Sequence, residues 1–378
     1  MSLPPLGLYI HLPWCERKCP YCDFNSHQSD EIPESKYIVA LLADLQQDAA
    51  LANGRSIQTL FIGGGTPSLF SPEGIDTLLR GIGELLPLSK DLEATMEANP
   101  GSAETDKFRD YRQAGINRLS LGIQSFNDAC LQSLGRIHNC TQAKAAISAA
   151  QAAGFNSINI DLMHGLPGQS IDSAINDLKT AIYLRPEHLS WYQLTIEPNT
   201  VFYKRPPTLP LEDELADIQS AGETLLSDAG YGQYEVSAYS QPGFQCRHNL
   251  NYWSFGDYLA IGAGAHGKIT GPNGEINRYS KTRMPEDYLA AKTNRTADSR
   301  TLDVDEVAGE FMLNALRLNR GFTVTEFEAA TGIAFSTVNS VTQSLTERGL
   351  LEHSAGRIHT AALGRRFLDN VVAEYFGD

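Results

Sequence analysis

The sequence predicts an α/β fold: a partial (β/α)6 barrel over residues 1–200, an α+β extension over 201–299 and a C-terminal winged-helix-like module over 300–378. Three observations carry that expectation. Apolar β-type runs alternate with helical runs through the first part of the chain, six times over, which implies parallel pairing through right-handed crossovers. Residues with functional chemistry sit at the C-terminal end of nearly every such run: the cysteines, a glycine run, Glu97, Gln124, Asp161 and Glu197. In a barrel those ends ring one mouth. From about Thr301 the texture changes to three helices, a β-ribbon at Gly349 to Thr360 and a last helix, the order of a winged-helix module.

The elements follow in order. An apolar run reads as a first, buried strand leading into the cysteine loop. Tyr37, Leu41, Leu42 and Leu45 then fall at helical spacing between Pro33 and Asn53, and Gly54 ends the helix. Ile57 to Ile62 is the second strand, closed by Gly63-Gly64-Gly65-Thr66-Pro67-Ser68, with a helix over Pro72 to Leu86. Glu93 to Ala98 precedes Asn99-Pro100-Gly101 and a helix over Ala103 to Ala114. Ile116 to Ile123 pairs with a helix over Ala143 to Ala153, Ser157 to Met163 with one over Ser170 to Leu184, and Leu189 to Ile196 is the sixth strand. Beyond a proline-rich break at Arg205 to Pro210, Leu211 to Gly230 reads as a helix and Tyr231 to Tyr239 as one half-buried strand. The segment Cys246 to Trp253 and the glycine-rich Tyr258 to Gly267 follow.

Cys15, Cys19 and Cys22 lie within eight positions of a loop leaving the first strand. Spacings of three and two residues let a backbone wrap one inorganic centre, and three thiolates leave one iron of a [4Fe-4S] cluster without a protein ligand. A structural zinc site would want a fourth Cys or His. The spacing resembles the signature of radical S-adenosylmethionine enzymes. That resemblance implies an open iron chelated by the amino and carboxylate groups of S-adenosylmethionine, whose sulfonium a reduced cluster can split.

Composition narrows the class. Hydrophobic residues at 42% and charged residues at 20% describe a globular protein, and a formal net charge of −15 argues against nonspecific attraction to nucleic acid or anionic lipid. No apolar run approaches the length of a bilayer span, and no secretion signal is evident. A tight cysteine cluster without such a signal suits a reducing cytoplasm, with Cys130, Cys140 and Cys246 as free thiols. Residues 300–378 hold seven Arg, no Lys and eleven Asp or Glu, so the expected role of the winged module is protein contact or a lid, with no DNA bound.

Gly63-Gly64-Gly65-Thr66-Pro67 has neither the lysine of a P-loop nor the spacing of a dinucleotide fingerprint. After a strand, it resembles the radical S-adenosylmethionine motif that binds the cofactor's amino group, which assigns Gly64, Gly65 and Thr66 to that cofactor. Glu97 has the chemistry for the amino group or ribose hydroxyls, Gln124 for the ribose, Arg136 for the carboxylate, and Asp161 is a further acceptor. Taken singly, each is better explained by a helix cap, a surface ion pair or a satisfied buried polar group.

Met-Glu97-Ala-Asn-Pro, Gly-Ile-Gln124-Ser-Phe, Leu-Gly-Arg136-Ile-His and Asn-Ile-Asp161-Leu-Met-His-Gly-Leu-Pro-Gly together resemble the oxygen-independent coproporphyrinogen III oxidase group, including its HemW branch of heme chaperones. Tyr9 matches a family tyrosine near the S-adenosylmethionine site. The oxidases carry a fourth cysteine two residues after the third, and Phe24 stands there in this chain, as in the HemW branch. His248-Asn249-Leu250-Asn251-Tyr252-Trp253 resembles the heme-associated motif of that branch. The resemblance implies heme contacts at His248, Tyr252 and Trp253, transfer of heme to acceptor proteins, an electron donor if S-adenosylmethionine is cleaved, and a homodimer. Oxidative decarboxylation of coproporphyrinogen is the alternative activity, and a DNA-binding iron-sulfur regulator a more distant one.

Overall fold

The structure, a computed structural model, describes residues 3–29 and 31–376. Six strands, β1 (Leu6–Leu12), β2 (Ile57–Gly64), β3 (Leu88–Ala98), β4 (Arg118–Gln124), β5 (Ser157–His164) and β6 (His188–Gln193), lie parallel and hydrogen-bond to one another in chain order. Every residue of β1 except Tyr9 is buried, as expected of a strand covered on both faces. Strand order that follows chain order is the winding of a barrel. A doubly wound sheet reverses from a central strand. The crossovers run through α1 (Glu34–Asp48), α2 (Pro72–Leu85), α3 (Phe108–Ala114), α4 (Cys140–Ala153) and α5 (Ile171–Tyr183). Local chemistry sets their starts: Ser71 Oγ accepts from Gly74 N at 3.0 Å ahead of Pro72, and Asn139 and Gln142 form a capping box on α4.

Two expectations need correction, and two segments for which the sequence predicts no element take one up. The helix over Ala103 to Ala114 is broken into a short turn, Ser102–Thr105, and α3. The single strand over Tyr231 to Tyr239 is a hairpin, β7 (Gly232–Glu235) and β8 (Ala238–Ser240), because the Glu235 carboxylate accepts from both the N–H and the hydroxyl of Ser237 and reverses the chain. β8 runs antiparallel to β6. After α6 (Glu212–Asp228), the segment ending in Trp253 is a seven-residue helix, α7 (Arg247–Trp253). Within the glycine-rich stretch lies β9 (Asp257–Ile261), a seventh parallel strand on the free side of β1. It is followed by β10 (His266–Thr270), β11 (Ile276–Lys281) and β12 (Thr296–Thr301), all antiparallel. The result is one twelve-stranded sheet whose two edge strands, β12 and β7, do not pair with each other.

The main core lies between this sheet and its crossover helices. A second apolar cluster lies in the C-terminal part, where α8 (Val304–Ala315), α9 (Val324–Thr331), α10 (Ser336–Glu347), the ribbon β13 (Leu351–Ser354) and β14 (Arg357–Thr360), and α11 (Leu368–Ala373) surround Phe311, Phe322, Phe327 and Phe335. Phe255, just past α7, meets Phe311 edge-on at 5.7 Å and ties the two parts together.

Candidate functional site

The C-terminal ends of the parallel strands open on a cavity of about 740 Å³. Cys15, Cys19, Cys22, Gly64, Gly65, Thr66, Glu97, Gln124, Arg136 and Asp161 all line it. Residues far apart in sequence meet there because each ends a strand or follows one.

The cysteine loop is pinned at its base. Trp14–Cys15 pairs with His27–Gln28, and Cys22 N donates to Cys19 O at 3.2 Å. The glycine run packs against this loop: Gly65 N donates to Leu12 O at 2.8 Å and Thr66 N to Trp14 O at 2.7 Å. A Cβ on Gly65 would collide with the Trp14 carbonyl, and Gly64 has φ of 121°. With those amide hydrogens committed, what the turn offers a ligand is carbonyl oxygen, the right polarity for an ammonium group. Burial raises the Cys15 and Cys22 thiols. Among the described residues no three Cys, His, Asp or Glu side chains converge on one point as a single metal ion requires. Three thiols spread around a cavity suit a polynuclear cluster, in which each thiolate takes a different iron.

The remaining walls divide by charge. Glu97 is pushed up to about 8, first by burial and then by the charge of Asp161, against the opposing Gly64 N–H at 3.2 Å. A buried carboxylate with no cationic side chain bonded to it fits a cationic ligand group. Asp161, also raised by burial, accepts from Asn159 Nδ2 at 2.7 Å and Ser120 Oγ at 3.1 Å. Gln124, at φ of 68°, accepts through Oε1 from Tyr192 OH at 2.8 Å. Arg136 donates to Asn99 Oδ1 and Gly122 O, both at 2.7 Å, and lies 3.5 Å from Cys19 Sγ, while its buried Nε has no partner. One acidic and one cationic wall match the two charged ends of an amino acid, so the residues fit a cluster-bound S-adenosylmethionine.

A second, more apolar cavity of about 780 Å³ adjoins the first, and Phe24, Gly64 and Glu97 line both. His248, Tyr252 and Trp253 of α7 face it, with Phe61 and Tyr258. His248 is buried; its Nδ1 lies 3.0 Å from Thr59 Oγ1, and its ring is 5.3 Å from Phe61. Burial lowers the imidazole to about 4, so it is neutral, and Nε2 has no hydrogen-bond partner among the described residues. If Nδ1–H donates to Thr59, Nε2 carries the lone pair an axial ligand needs. The Tyr252 ring lies 4.8 Å from that of Tyr258, tilted by 31°, and Trp253 meets Tyr252 edge-on at 5.0 Å. Tyr9, expected beside the S-adenosylmethionine residues, lies in this second cavity, its hydroxyl 2.9 Å from His11 Nδ1.

Sequence reasoning missed Asn99, Tyr192, Tyr258 and Arg317. Asn99 was legible as part of a turn, whereas its bonds to Arg136 and to Thr66 Oγ1 at 3.1 Å exist only in the folded chain. The others carry no local signal.

Residues 9–181 match the radical SAM superfamily and residues 302–367 the HemN C-terminal domain. The fold superposes on the Escherichia coli coproporphyrinogen III oxidase HemN, a radical SAM enzyme, with a TM-score of 0.84 over 99% of this chain and 91% of that one; at 24% identity this is a likeness of fold. The heme chaperone HemW of Escherichia coli K12 is 49% identical over 100% of both chains, that of Haemophilus influenzae 50% identical over 98% of both, and that of Bacillus subtilis 34% identical over 98% of this chain and 99% of its own. With relatives matching from end to end at these identities, the chain belongs to the HemW family of the radical SAM superfamily.

Proposed function

We propose that the chain is a heme chaperone, which binds heme in the apolar cavity and hands it to acceptor proteins. The observation that carries this reading is His248, a neutral imidazole whose Nε2 has no partner among the described residues, in an aromatic-walled cavity next to the thiols. Neutral imidazole is the form that ligates iron. Tyr252 and Trp253 supply flat surface for a macrocycle. In the adjoining cavity Cys15, Cys19 and Cys22 hold the [4Fe-4S] cluster. Glu97 and the carbonyls of the Gly64-Gly65-Thr66 turn would accept from the amino N–H groups of S-adenosylmethionine, Arg136 would take its carboxylate, and Gln124 and Asp161 its hydroxyls. Tyr9 backs the wall that both cavities share. When bound, the cluster supplies an open iron and a one-electron reductant. The division at about residues 200 and 300 then has a functional sense: cofactor scaffold, heme segment, and a module that covers or contacts. Six cysteines without a disulfide among them suit a reducing cytoplasm, and acceptor proteins, a second copy and an electron donor would complete its partners.

The test uses anaerobically reconstituted protein with S-adenosylmethionine, a reductant and coproporphyrinogen III, products read by mass spectrometry, and heme titrated in parallel by absorbance. Stoichiometric heme binding that is lost in His248→Ala, with no decarboxylation, is the expected result. Formation of protoporphyrinogen would return the chain to the oxidases despite Phe24, and heme uptake indifferent to His248 would remove the proposed ligand.

A further inference from the structure

Arg317 follows α8 in the C-terminal part, yet its side chain lines the thiol cavity in the barrel. Its guanidinium lies 4.4 Å over the ring of Trp253, which lines the apolar cavity. Of its five N–H donors, one reaches Glu235 Oε2, at 3.4 Å. The buried Nε is without a partner, and no other hydrogen bond of this guanidinium exists among the described residues. The side chain is 28% exposed, and of its unpaired donors Nε is the buried one.

Other cations along the two cavities are committed elsewhere or stand outside. Lys281 is 2.7 Å from both Asp44 and Asp48, Arg136 is held by Asn99 and Gly122, and Lys18 donates to the carbonyls of Phe24 and Ser26. Arg17 and Arg283 are exposed at the rim. Arg136 keeps an unpartnered Nε of its own, but among the described residues Arg317 is the cation inside the rim with the most donors to spare, and it backs the tryptophan on which a flat ligand would lie. Porphyrins carry carboxylates at the edge of an apolar disc, and a guanidinium fork at an aromatic edge is the group that reads such a ligand.

Resting on the heme reading above, we propose that Arg317 binds a carboxylate of the porphyrin, so that the C-terminal part completes the binding site. An Arg317 that only holds Glu235 would not distinguish ligands by their carboxylates. The test compares heme with its dimethyl ester, which keeps the ring and iron and removes both acidic groups. Each is titrated by absorbance into the reconstituted wild type, Arg317→Gln and Arg317→Lys, and S-adenosylmethionine affinity is measured alongside. The wild type is expected to bind the ester about tenfold or more weakly than heme, the cost of losing a charge-assisted hydrogen bond. R317Q is expected to lose most of that preference and R317K to recover part of it, with S-adenosylmethionine affinity unchanged. Equal binding of heme and ester by the wild type, which needs no variant to fold, would overturn the proposal, as would a loss in R317Q confined to S-adenosylmethionine. A wild type that takes up no heme overturns the chaperone reading with it. Uptake that depends on His248 but ignores the ester overturns this inference alone.

Discussion

Replacing Glu97 by Gln separates the charge of the site from its shape. In the cavity without ligand the carboxyl titrates near pH 8, raised mainly by burial from an ordinary value of 4.5. At pH 7 it is therefore about nine-tenths protonated, and at pH 9 about one-tenth. S-adenosylmethionine brings a sulfonium charge and amino N–H donors to a group that accepts best as the carboxylate, so cofactor binding at pH 7 should release up to about 0.9 proton from this group. The same linkage makes affinity rise about tenfold between pH 7 and pH 9, roughly 1.4 kcal/mol. Calorimetry of S-adenosylmethionine binding to reconstituted protein, in two buffers of different ionisation enthalpy, counts the protons directly. The ligand's own amino group titrates alike for both proteins, so the difference between wild type and E97Q isolates Glu97. Stability supplies an independent reading with a definite sign. Because the folded value lies above the unfolded one, the unfolded chain gives up its proton first, and stability falls as pH rises from 4.5 to 8. The gap caps that loss at about 5 kcal/mol. Ligand-free E97Q should melt above wild type at pH 8, and the difference should close near pH 5. Equal proton release by the two proteins at pH 7, or a wild-type advantage in melting at pH 8, would refute the reasoning.

Gly65→Ala places a methyl group against the Trp14 carbonyl and should displace the cysteine loop, seen as lowered iron and sulfide per chain after reconstitution; full loading would show that the loop yields cheaply. Lys281→Met strands Asp44 and Asp48 in the interior and should cost about 3–5 kcal/mol in urea unfolding, with a loss below about 1 kcal/mol contradicting the buried triad. Glu93→Ala leaves the N–H groups of Arg247 and His248 without the acceptor they have at 3.1 and 3.0 Å, a cost of about 1–3 kcal/mol. Amide exchange over residues 246–253 should quicken and heme affinity fall with it; unchanged exchange would mean the helix is held from elsewhere.

The parallel strands were legible because their residues announce them: a strand such as Leu6–Leu12, buried on both faces, must be apolar nearly throughout, and the crossover helices show a period of 3.6. The thiol cavity was legible for a related reason, since strand ends of a sequentially wound sheet fall together. Less legible was whatever tertiary contact decides. β9 hides among glycines, and its strand conformation comes from pairing with β1. Helix α7 reads Arg-His-Asn-Leu-Asn-Tyr-Trp, with no apolar stripe to mark it. Tyr9 alternates onto the apolar cavity because it lies two residues before His11 on the same strand face, a parity that motif matching does not weigh. Arg317 gives no sign of reaching a cavity built some 200 residues earlier in the chain.

A seven-residue helix does not hold itself together in water. At its start, Glu93 of β3 receives the N–H groups of Arg247 and His248, with Cys246 Sγ at 3.7 Å. At its end, Asn251 Nδ2 donates to Asp257 O at 2.9 Å, and Lys268 Nζ donates to Phe255 O at 3.0 Å. Asp257 is itself held by Arg55 at 2.6 Å, Lys268 at 3.1 Å and both donors of Thr270, and it opens the strand that pairs with β1. Between these ends His248 meets Thr59 of β2, and an added Cβ on Gly7 of β1 would come within 3.3 Å of its ring. Those two strands also run into the cysteine loop and the glycine turn. His248 and the thiols are therefore fixed by the same pair of strands, from opposite ends. A histidine held in this way meets its ligand by fit, without a loop having to order around it. The two cavities share the wall of Phe24, Gly64 and Glu97, so a change in the charge of Glu97 acts on both.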